Sequence, residues 1–285
     1  MTLAQCARRA ADRLSATYAD SEAAWLVRVI FEELKGYTKV DMVVKASDEV
    51  SDYLAAKVDG VVDRLLNHEP VQYIFGNARF YGLKFKVTRD TLIPRPETEE
   101  LVDMIVRDAD GRSDMRVLDV CTGSGCIAVA LGRNLVFPQI SATDISDSAL
   151  CVARENAAAL KVKVAFSHVD ALNMSGPSEP IYDVVVSNPP YIMPDERAAM
   201  SANVLDYEPH TALFVPENDP LVFYKAIEAF AFDALSDGGR LYFEINPRLA
   251  SQLSGYLSAH GWVDVDVVRD MQKLNRFITA TRPSR

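Results

Sequence analysis

The chain has 285 residues, 49% hydrophobic and 25% charged, and its 30 Lys and Arg against 40 Asp and Glu leave a formal net charge of -10. That length suggests two domains at roughly 100–200 residues each, and the mix is that of a soluble globular protein, with too little Gly and Pro for a low-complexity or collagen-like chain. The acidic balance weighs against tight, phosphate-driven binding of bulk nucleic acid, which needs a basic face, but leaves room for a local basic patch.

Residues 1 to about 70 read as helical. After Ser21, the apolar residues Ala24, Val27, Ile30, Phe31 and Leu34 recur at helical spacing, and Gly36 follows as a stop. Leu54, Val58, Val61, Val62, Leu65 and Leu66 repeat the pattern, with Ser47 or Asp48 expected as N-cap and Pro70 beyond the end. Short amphipathic helices bury their stripes only against one another, so a small bundle is expected. Two roles are open for it, a packing unit and a substrate-docking domain. Met1–Arg13 has no apolar signal-peptide core, and no apolar run approaches the ~18–20 residues of a membrane span. Cys6, Cys121, Cys126 and Cys151 show neither zinc nor disulfide spacing, so reduced thiols in the cytoplasm are expected.

The aromatic, β-prone stretch Ala78–Thr88 predicts a hairpin with Gly82 at its turn. In Ile93-Pro94-Arg95-Pro96-Glu97-Thr98-Glu99, Pro96 suits the first position of a helix that has acids in its first turn. From Met115 onward strands and helices alternate. Strands are expected over Met115–Val120, Gln139–Asp144, Val162–His168, Tyr182–Ser187 and Gly239–Ile245, with Gly238-Gly239 as a turn. Helices are expected over Ser124–Asn134, Ser146–Leu160, Pro220–Leu235 and Leu249–His260. Trp262–Arg269 and Asn275–Ala280 have no helix between them and read as a hairpin. This order predicts a mostly parallel sheet with helices on both faces, closed by an antiparallel hairpin.

The first chemical signal is Asp119-Val120-Cys121-Thr122-Gly123-Ser124-Gly125, running from strand into helix. Gly123 and Gly125 permit a tight turn and close approach of a ligand to the backbone. Asp144 ends the next strand, where a carboxylate accepts hydrogen bonds from both hydroxyls of a ribose. A nucleoside-bearing cofactor is therefore expected, either NAD or S-adenosylmethionine (SAM); the bland alternative is that Asp144 only caps the helix near Ser146. Asp170, after the third strand, is a candidate for the adenine amino group, although an acid there is a common turn residue.

The second signal separates the cofactors. The apolar strand Val184-Val185-Val186-Ser187 ends in Asn188-Pro189-Pro190-Tyr191. An amide or aryl amine nitrogen is a poor nucleophile, because its lone pair is delocalised. It must be held in line with an electrophilic methyl group. The Asn188 side-chain oxygen and the Pro189 carbonyl can each accept one N–H of a planar –NH2, with Tyr191 packing on the plane. His68, His168, His210 and His260 form no metal-binding spacing, and no metal is expected. Cys121 and Cys126 read as small buried residues rather than nucleophiles.

With these motifs the chain resembles the release factor glutamine methyltransferases of the HemK/PrmC type, which are class I SAM-dependent methyltransferases. The resemblance covers nearly the whole chain. It includes Glu69–Gly76, Leu92–Glu99, the glycine turn, Asn188–Tyr191 and Glu208–Leu213. It implies a Rossmann-like, mostly parallel seven-stranded sheet with a C-terminal antiparallel hairpin, plus a small N-terminal helical bundle. The domains would be a substrate-docking bundle over 1–75, a hairpin linker over 76–95 and a methyltransferase domain over 96–285. The activity implied is SAM-dependent N5-methylation of the glutamine in the Gly-Gly-Gln motif of class I peptide chain release factors, by a monomer that binds neither membrane nor nucleic acid.

Carried over by position, Cys121, Thr122, Gly123, Ser124 and Gly125 line the methionine part of SAM, and Asp144 holds the ribose. Asp170 and Ala171 lie near the adenine. Asn188 touches cofactor and glutamine, Pro189, Pro190 and Tyr191 form the substrate pocket, and Arg95, Glu97 and Thr98 shape a lid. Two positions depart from the family pattern: Cys121 and Asn246 stand where members commonly have Gly. A Cys at 121 is expected to require an ordinary φ. The alternatives are a methyltransferase for another amide or amine, such as a ribosomal-protein glutamine or adenine N6, a SAM-binding protein without turnover, and an NAD oxidoreductase.

Overall fold

The helical spacing near the N-terminus becomes α1 (Leu3–Leu14), α2 (Asp20–Lys35), α3 (Lys39–Val44), α4 (Asp52–Leu66) and α5 (Val71–Phe75). A computed structural model describes residues 1–284 and divides them into two units. The first unit is Met1–Gly76 together with Ala202–Tyr207. Leu14, Ile30, Phe31, Val62 and Leu65 are buried in its core. Gly36 ends α2 at φ 68, the left-handed conformation that a helix stop uses. The N-cap of α4 is Ser51, whose hydroxyl accepts from the Leu54 amide, and not Ser47 or Asp48. The cap falls there because the sequence between α3 and α4 forms a bridge and turns (Glu49 pairs with Thr2), which delays the helix start.

The second unit comprises residues 77–201 together with 208–284. It opens with β1 (Asn77–Phe80) and β2 (Leu83–Lys86), an antiparallel hairpin. Its two turn residues, Tyr81 and Gly82, both have positive φ (48° and 72°), as a two-residue hairpin matching strand twist requires. Then follow α6 (Pro96–Ala109), β3 (Arg116–Val120), α7 (Cys126–Asn134), β4 (Gln139–Asp144), α8 (Asp147–Ala159), β5 (Val164–His168) and β6 (Tyr182–Ser187). The short α9 (Ala202–Leu205) groups with the first unit. The chain closes with α10 (Val222–Ala234), β7 (Leu235–Glu244), α11 (Ala250–Ala259), β8 (Val263–Arg269) and β9 (Asn275–Thr281).

The sheet has seven strands in the order β5-β4-β3-β6-β7-β9-β8. β3 to β7 run parallel to one another, and β9 runs antiparallel to both β7 and β8. The alternating side chains of β6 face opposite layers: Val184 and Val186 join the cluster of Leu101 and Leu131, while Val185 joins that of Ile227 and Leu253. Both faces are covered, which is why this strand is apolar without alternation. Gly238-Gly239 is not a separate turn before a strand. It lies inside β7, where the pairing with β6 jumps from Tyr182↔Leu235 to Val184↔Arg240 and Gly238 takes φ 72. The chain order reverses beside β3, since β4 lies on one side of it and β6 on the other. Open α/β sheets bind ligands outside the carboxyl ends of the strands at such a reversal.

Candidate functional site

At the carboxyl end of β3 the glycine turn is built as a cradle. Gly123 has φ 54, and a Cβ added there would meet nothing within 4 Å, so its backbone borders open space. Gly125 has φ 79 and a different task. A Cβ there would stand 3.1 Å from the Ala153 Cβ, so its absence lets α7 start close against α8. The Gly123 amide donates to Asp144 Oδ2 (2.8 Å), and the Ser146 amide donates to Oδ1 (2.9 Å). Ser146, not Asp144, supplies the side-chain cap of α8, through the Ala149 amide. Burial raises the Asp144 pKa, and those backbone donors pull it partly back.

Asn188 leaves β6 at the same end of the sheet. Just before it, the Ser187 hydroxyl donates to the Val120 carbonyl (2.6 Å), which ties the ends of β6 and β3 together. A cavity of about 500 Å³ opens here, a size usual for small-molecule sites. Its wall contains Cys121, Thr122, Gly123, Ser124, Asp144, Asp170, Ala171, Asn188 and Pro190. Gly125, Pro189 and Tyr191 are not part of that wall. Pro189 is buried, and the Tyr191 hydroxyl donates inward to Glu244 Oε1 (3.0 Å). Asp170 lines the cavity while serving its turn, accepting from the Leu172 amide (2.9 Å) and from Asn173 Nδ2 (2.6 Å).

Of the three residues expected to shape a lid, Arg95 and Thr98 reach the wall, whereas Glu97 accepts from Gln272 Nε2 (3.1 Å). Arg95 pairs with Glu208 (2.6 Å), whose carboxylate is nearly fully buried and also accepts from the Ile93 amide (3.4 Å). Two motifs 113 positions apart are thereby joined. Burial pushes the Glu208 pKa up, and the Arg95 guanidinium opposes that shift.

Sequence reasoning passed over three residues of interest here. Ile145 (56% exposed) and Leu172 (40% exposed) are apolar, line the cavity and follow the strand-end acids Asp144 and Asp170. Exposure of large apolar groups beside a cavity is itself a signal of a ligand face. Glu244 is 1% exposed at the end of β7, and its signal was a lone acid closing the apolar run Leu241–Phe243.

Comparisons with known proteins agree with this geometry. A methyltransferase small domain model matches residues 98–206, and a PrmC N-terminal domain model matches residues 5–76. The release factor glutamine methyltransferase of Bacteroides thetaiotaomicron is 40% identical over 266 residues, covering 93% of this chain and 95% of that protein. The chain belongs to the release factor glutamine methyltransferase family. The family's enzyme from Flavobacterium psychrophilum is 36% identical over 93% of this chain and 94% of its own length. Among solved structures, the hMettl16 catalytic domain in complex with MAT2A 3'UTR hairpin 6 has TM-score 0.55 at 19% identity, covering 82% of each chain. A methyltransferase from Pyrococcus furiosus has TM-score 0.52 at 16% identity, covering 78% of this chain and 98% of that one. At these identities they show a shared fold.

The residues present fit the SAM that this family membership implies. Below the glycine turn the Asp119 side chain is fully buried. Its Oδ2 accepts from the Thr122 hydroxyl (2.6 Å) and the Ala128 amide (3.1 Å), while Oδ1 has no partner among the described residues. Burial pushes this carboxyl up to about 7. Beneath the turn, an acid with spare acceptor capacity, and on the wall itself the Asp144 carboxylate and the apolar faces of Ile145 and Leu172, suit a ligand carrying cationic, ribose and aromatic parts.

The departures from the family's glycines now have structural answers. Cys121 does not keep an ordinary φ. It stands at φ 62, because the turn from β3 needs the left-handed conformation whether or not glycine supplies it. Its thiol borders the cavity, and desolvation there raises its pKa, which disfavours the thiolate; burial pushes the Cys126 thiol up to about 12. Backbone strain of this kind costs of order 1–2 kcal/mol for a non-glycine residue and more for a β-branched one. Cys121→Gly should therefore melt at or above the wild-type temperature, and Cys121→Val should lose about 1–2 kcal/mol. Equal denaturation midpoints for the valine variant and wild type would remove the strain argument. Asn246, in turn, ties down the segment after the Asn-Pro-Pro-Tyr motif. Its Nδ2 donates to the Tyr191 carbonyl (3.2 Å) and to Glu196 Oε2 (2.6 Å).

Proposed function

We propose that the protein transfers a methyl group from SAM to the side-chain nitrogen, N5, of the glutamine in the Gly-Gly-Gln motif of class I peptide chain release factors. The observation that carries this reading is Asn188 at the end of β6, in the wall of a cavity that also holds Asp144 and the glycine turn, in a chain 40% identical to a release factor glutamine methyltransferase. When bound, SAM would supply an electrophilic methyl carbon on a sulfonium; the N–C bond forms as the methyl–sulfur bond breaks, the electron pair staying on sulfur as a neutral thioether that leaves, and the amide nitrogen loses one proton to solvent.

The chain's own residues bind and orient. Asp144 would accept from the ribose hydroxyls through the lone pairs that its two backbone donors leave free. Ile145 and Leu172, both on the cavity wall, would pack against the adenine. The Asn188 side-chain oxygen and the Pro189 carbonyl accept the two N–H groups of the glutamine amide and set its plane, with Pro190 on the cavity wall and Tyr191 behind it. No strong base is required at the outset, since the work is orientation and dipole placement. The helical bundle docks the release factor, and the enzyme acts as a monomer in the cytoplasm without binding nucleic acid. Among the described residues no helix is long and apolar enough to cross a membrane.

Incubation with labelled SAM and a class I release factor tests the substrate. Label is expected on the wild-type factor and not on one whose Gly-Gly-Gln glutamine is changed. Equal label on both, or transfer only to a ribosomal protein or to adenine in a parallel panel, would overturn the assignment.

A further inference from the structure

A carboxamide presents a donor on one side and an acceptor on the other, and a half-turn about its last side-chain bond exchanges them. For Asn188 to accept an N–H from a substrate amide, its oxygen must face the substrate. The side chain alone has little preference between the two orientations, so something must choose.

Glu244 sits on β7 at the strand end next to Asn188, since Ser187 and Phe243 are partners in the parallel β6–β7 pairing. Its carboxylate accepts from the Thr98 hydroxyl through Oε2 (2.6 Å) and from the Tyr191 hydroxyl through Oε1 (3.0 Å). A threonine hydroxyl has one proton, and here Glu244 takes it. Thr98 Oγ1 is left with acceptor capacity only, and Asn188 Nδ2 lies 3.3 Å from it. Of the two ends of the Asn188 carboxamide, only the nitrogen can satisfy that oxygen. The Asn188 oxygen accepts no hydrogen bond among the described residues and is the end left for a ligand.

We propose that Thr98 and Glu244 are positioning residues that hold the Asn188 carboxamide with its oxygen available to the substrate amide. This rests on the glutamine methyltransferase reading above. The direction of the chain follows from its buried end when Glu244 is ionised: burial raises its pKa, the Thr98 and Tyr191 hydroxyls and Arg276 oppose that rise, and the ionised carboxylate only accepts, so both hydroxyls that reach it donate. The same carboxylate holds Tyr191, so one buried group sets both ends of the Asn-Pro-Pro-Tyr segment. Thr98 is brought there by α6, whose first helical residue is Pro96, and it is 2% exposed.

Thr98→Val keeps the shape and removes the hydroxyl. In single-turnover transfer to a release factor it is expected to slow the methyl-transfer rate about 10- to 100-fold, the scale of a small misorientation of reacting groups. SAM affinity by calorimetry should stay within about threefold. Thr98→Ser, which restores the hydroxyl, should recover most of the rate. Glu244→Gln, matched in shape but able to donate, should slow transfer in the same way, and it stands in if the valine variant fails to fold. The diagnostic is the cycle with Asn188→Ala: in that background Thr98→Val should cost nothing further, because the residue acts through Asn188. Wild-type rates for both Thr98→Val and Glu244→Gln would overturn the proposal. So would a full, additive loss on the Asn188→Ala background. If wild type itself bound SAM but left release factor unlabelled, the functional reading would fall instead, which is a separate result.

Discussion

Asn188→Ala is expected to lower the rate of methyl transfer by about 10²–10³-fold while leaving SAM affinity within about threefold. The scale is that found when one oriented group facing a developing charge is removed from an enzyme. An amide nitrogen has little nucleophilicity of its own. Without an acceptor on Asn188 its plane is free to turn, and the fraction of bound states aligned for transfer collapses. The cofactor-binding acid Asp144 stands on a different strand, β4, held by the Gly123 and Ser146 amides, so its geometry does not depend on Asn188. Asn188 is half-buried and its one side-chain hydrogen bond among the described residues is the long contact to Thr98, so folding should be affected little. Single-turnover rates with labelled SAM, alongside calorimetric SAM titration, separate the two effects. A near-normal rate would refute orientation as the source of catalysis.

Asp144→Ala has the opposite signature. Its carboxylate is expected to make two charge-assisted hydrogen bonds to the ribose, each worth about 1.5–3 kcal/mol. Losing them, with some replacement by water, should weaken SAM binding about 100-fold. The rate at saturating SAM should stay within severalfold of wild type. The variant also leaves the Gly123 and Ser146 amides without their acceptor, which should cost stability by about 1–2 kcal/mol. The pH dependence has a definite sign. Burial raises the Asp144 pKa, so acidification protonates it at a higher pH than an exposed aspartate, and the protonated form accepts less well. SAM affinity should fall as pH falls through that raised value, and the Asp144→Ala variant should lose this dependence. Calorimetry across the acidic to neutral range checks both. A flat wild-type profile, or an unchanged affinity in the variant, would show that Asp144 is only a structural anchor for the turn.

Most of the secondary structure was legible from residue patterns because the forces that set it act over a few positions. Gln139–Asp144 and Tyr182–Ser187 have the same bounds in sequence reading and structure, and the helix after Gly125 differs by two residues at its start. The apolar run of β6 and the amphipathic stripe of α4 carry their own burial instructions. Local conformation was harder where competing signals lay close together. The cap of α4 moved to Ser51 because a bridge from Glu49 to Thr2 occupies the preceding chain. Cys121 takes a left-handed φ because the β3–α7 turn demands it, and a side chain's reluctance does not override the tertiary constraint.

The site divides in the same way. By itself the sequence determined an alternating α/β chain, a glycine turn after one strand, an acid ending the next and Asn-Pro-Pro-Tyr ending a fourth. Each of these is a short motif at a strand end, and strand ends share one edge of a parallel sheet. Which of them meet was decided only by the tertiary structure. The order β4-β3-β6-β7 sets Asp144, Cys121, Asn188 and Glu244 at neighbouring strand ends. It brings Thr98 to a carboxylate 146 positions away, and Arg95 meets Glu208 across 113. It also places Tyr191 behind the cavity wall, bonded to that same carboxylate. The physical reason is that strand order and helix docking result from burying the whole core at once. A hydrogen bond between distant side chains leaves no periodic trace in the residues around either partner.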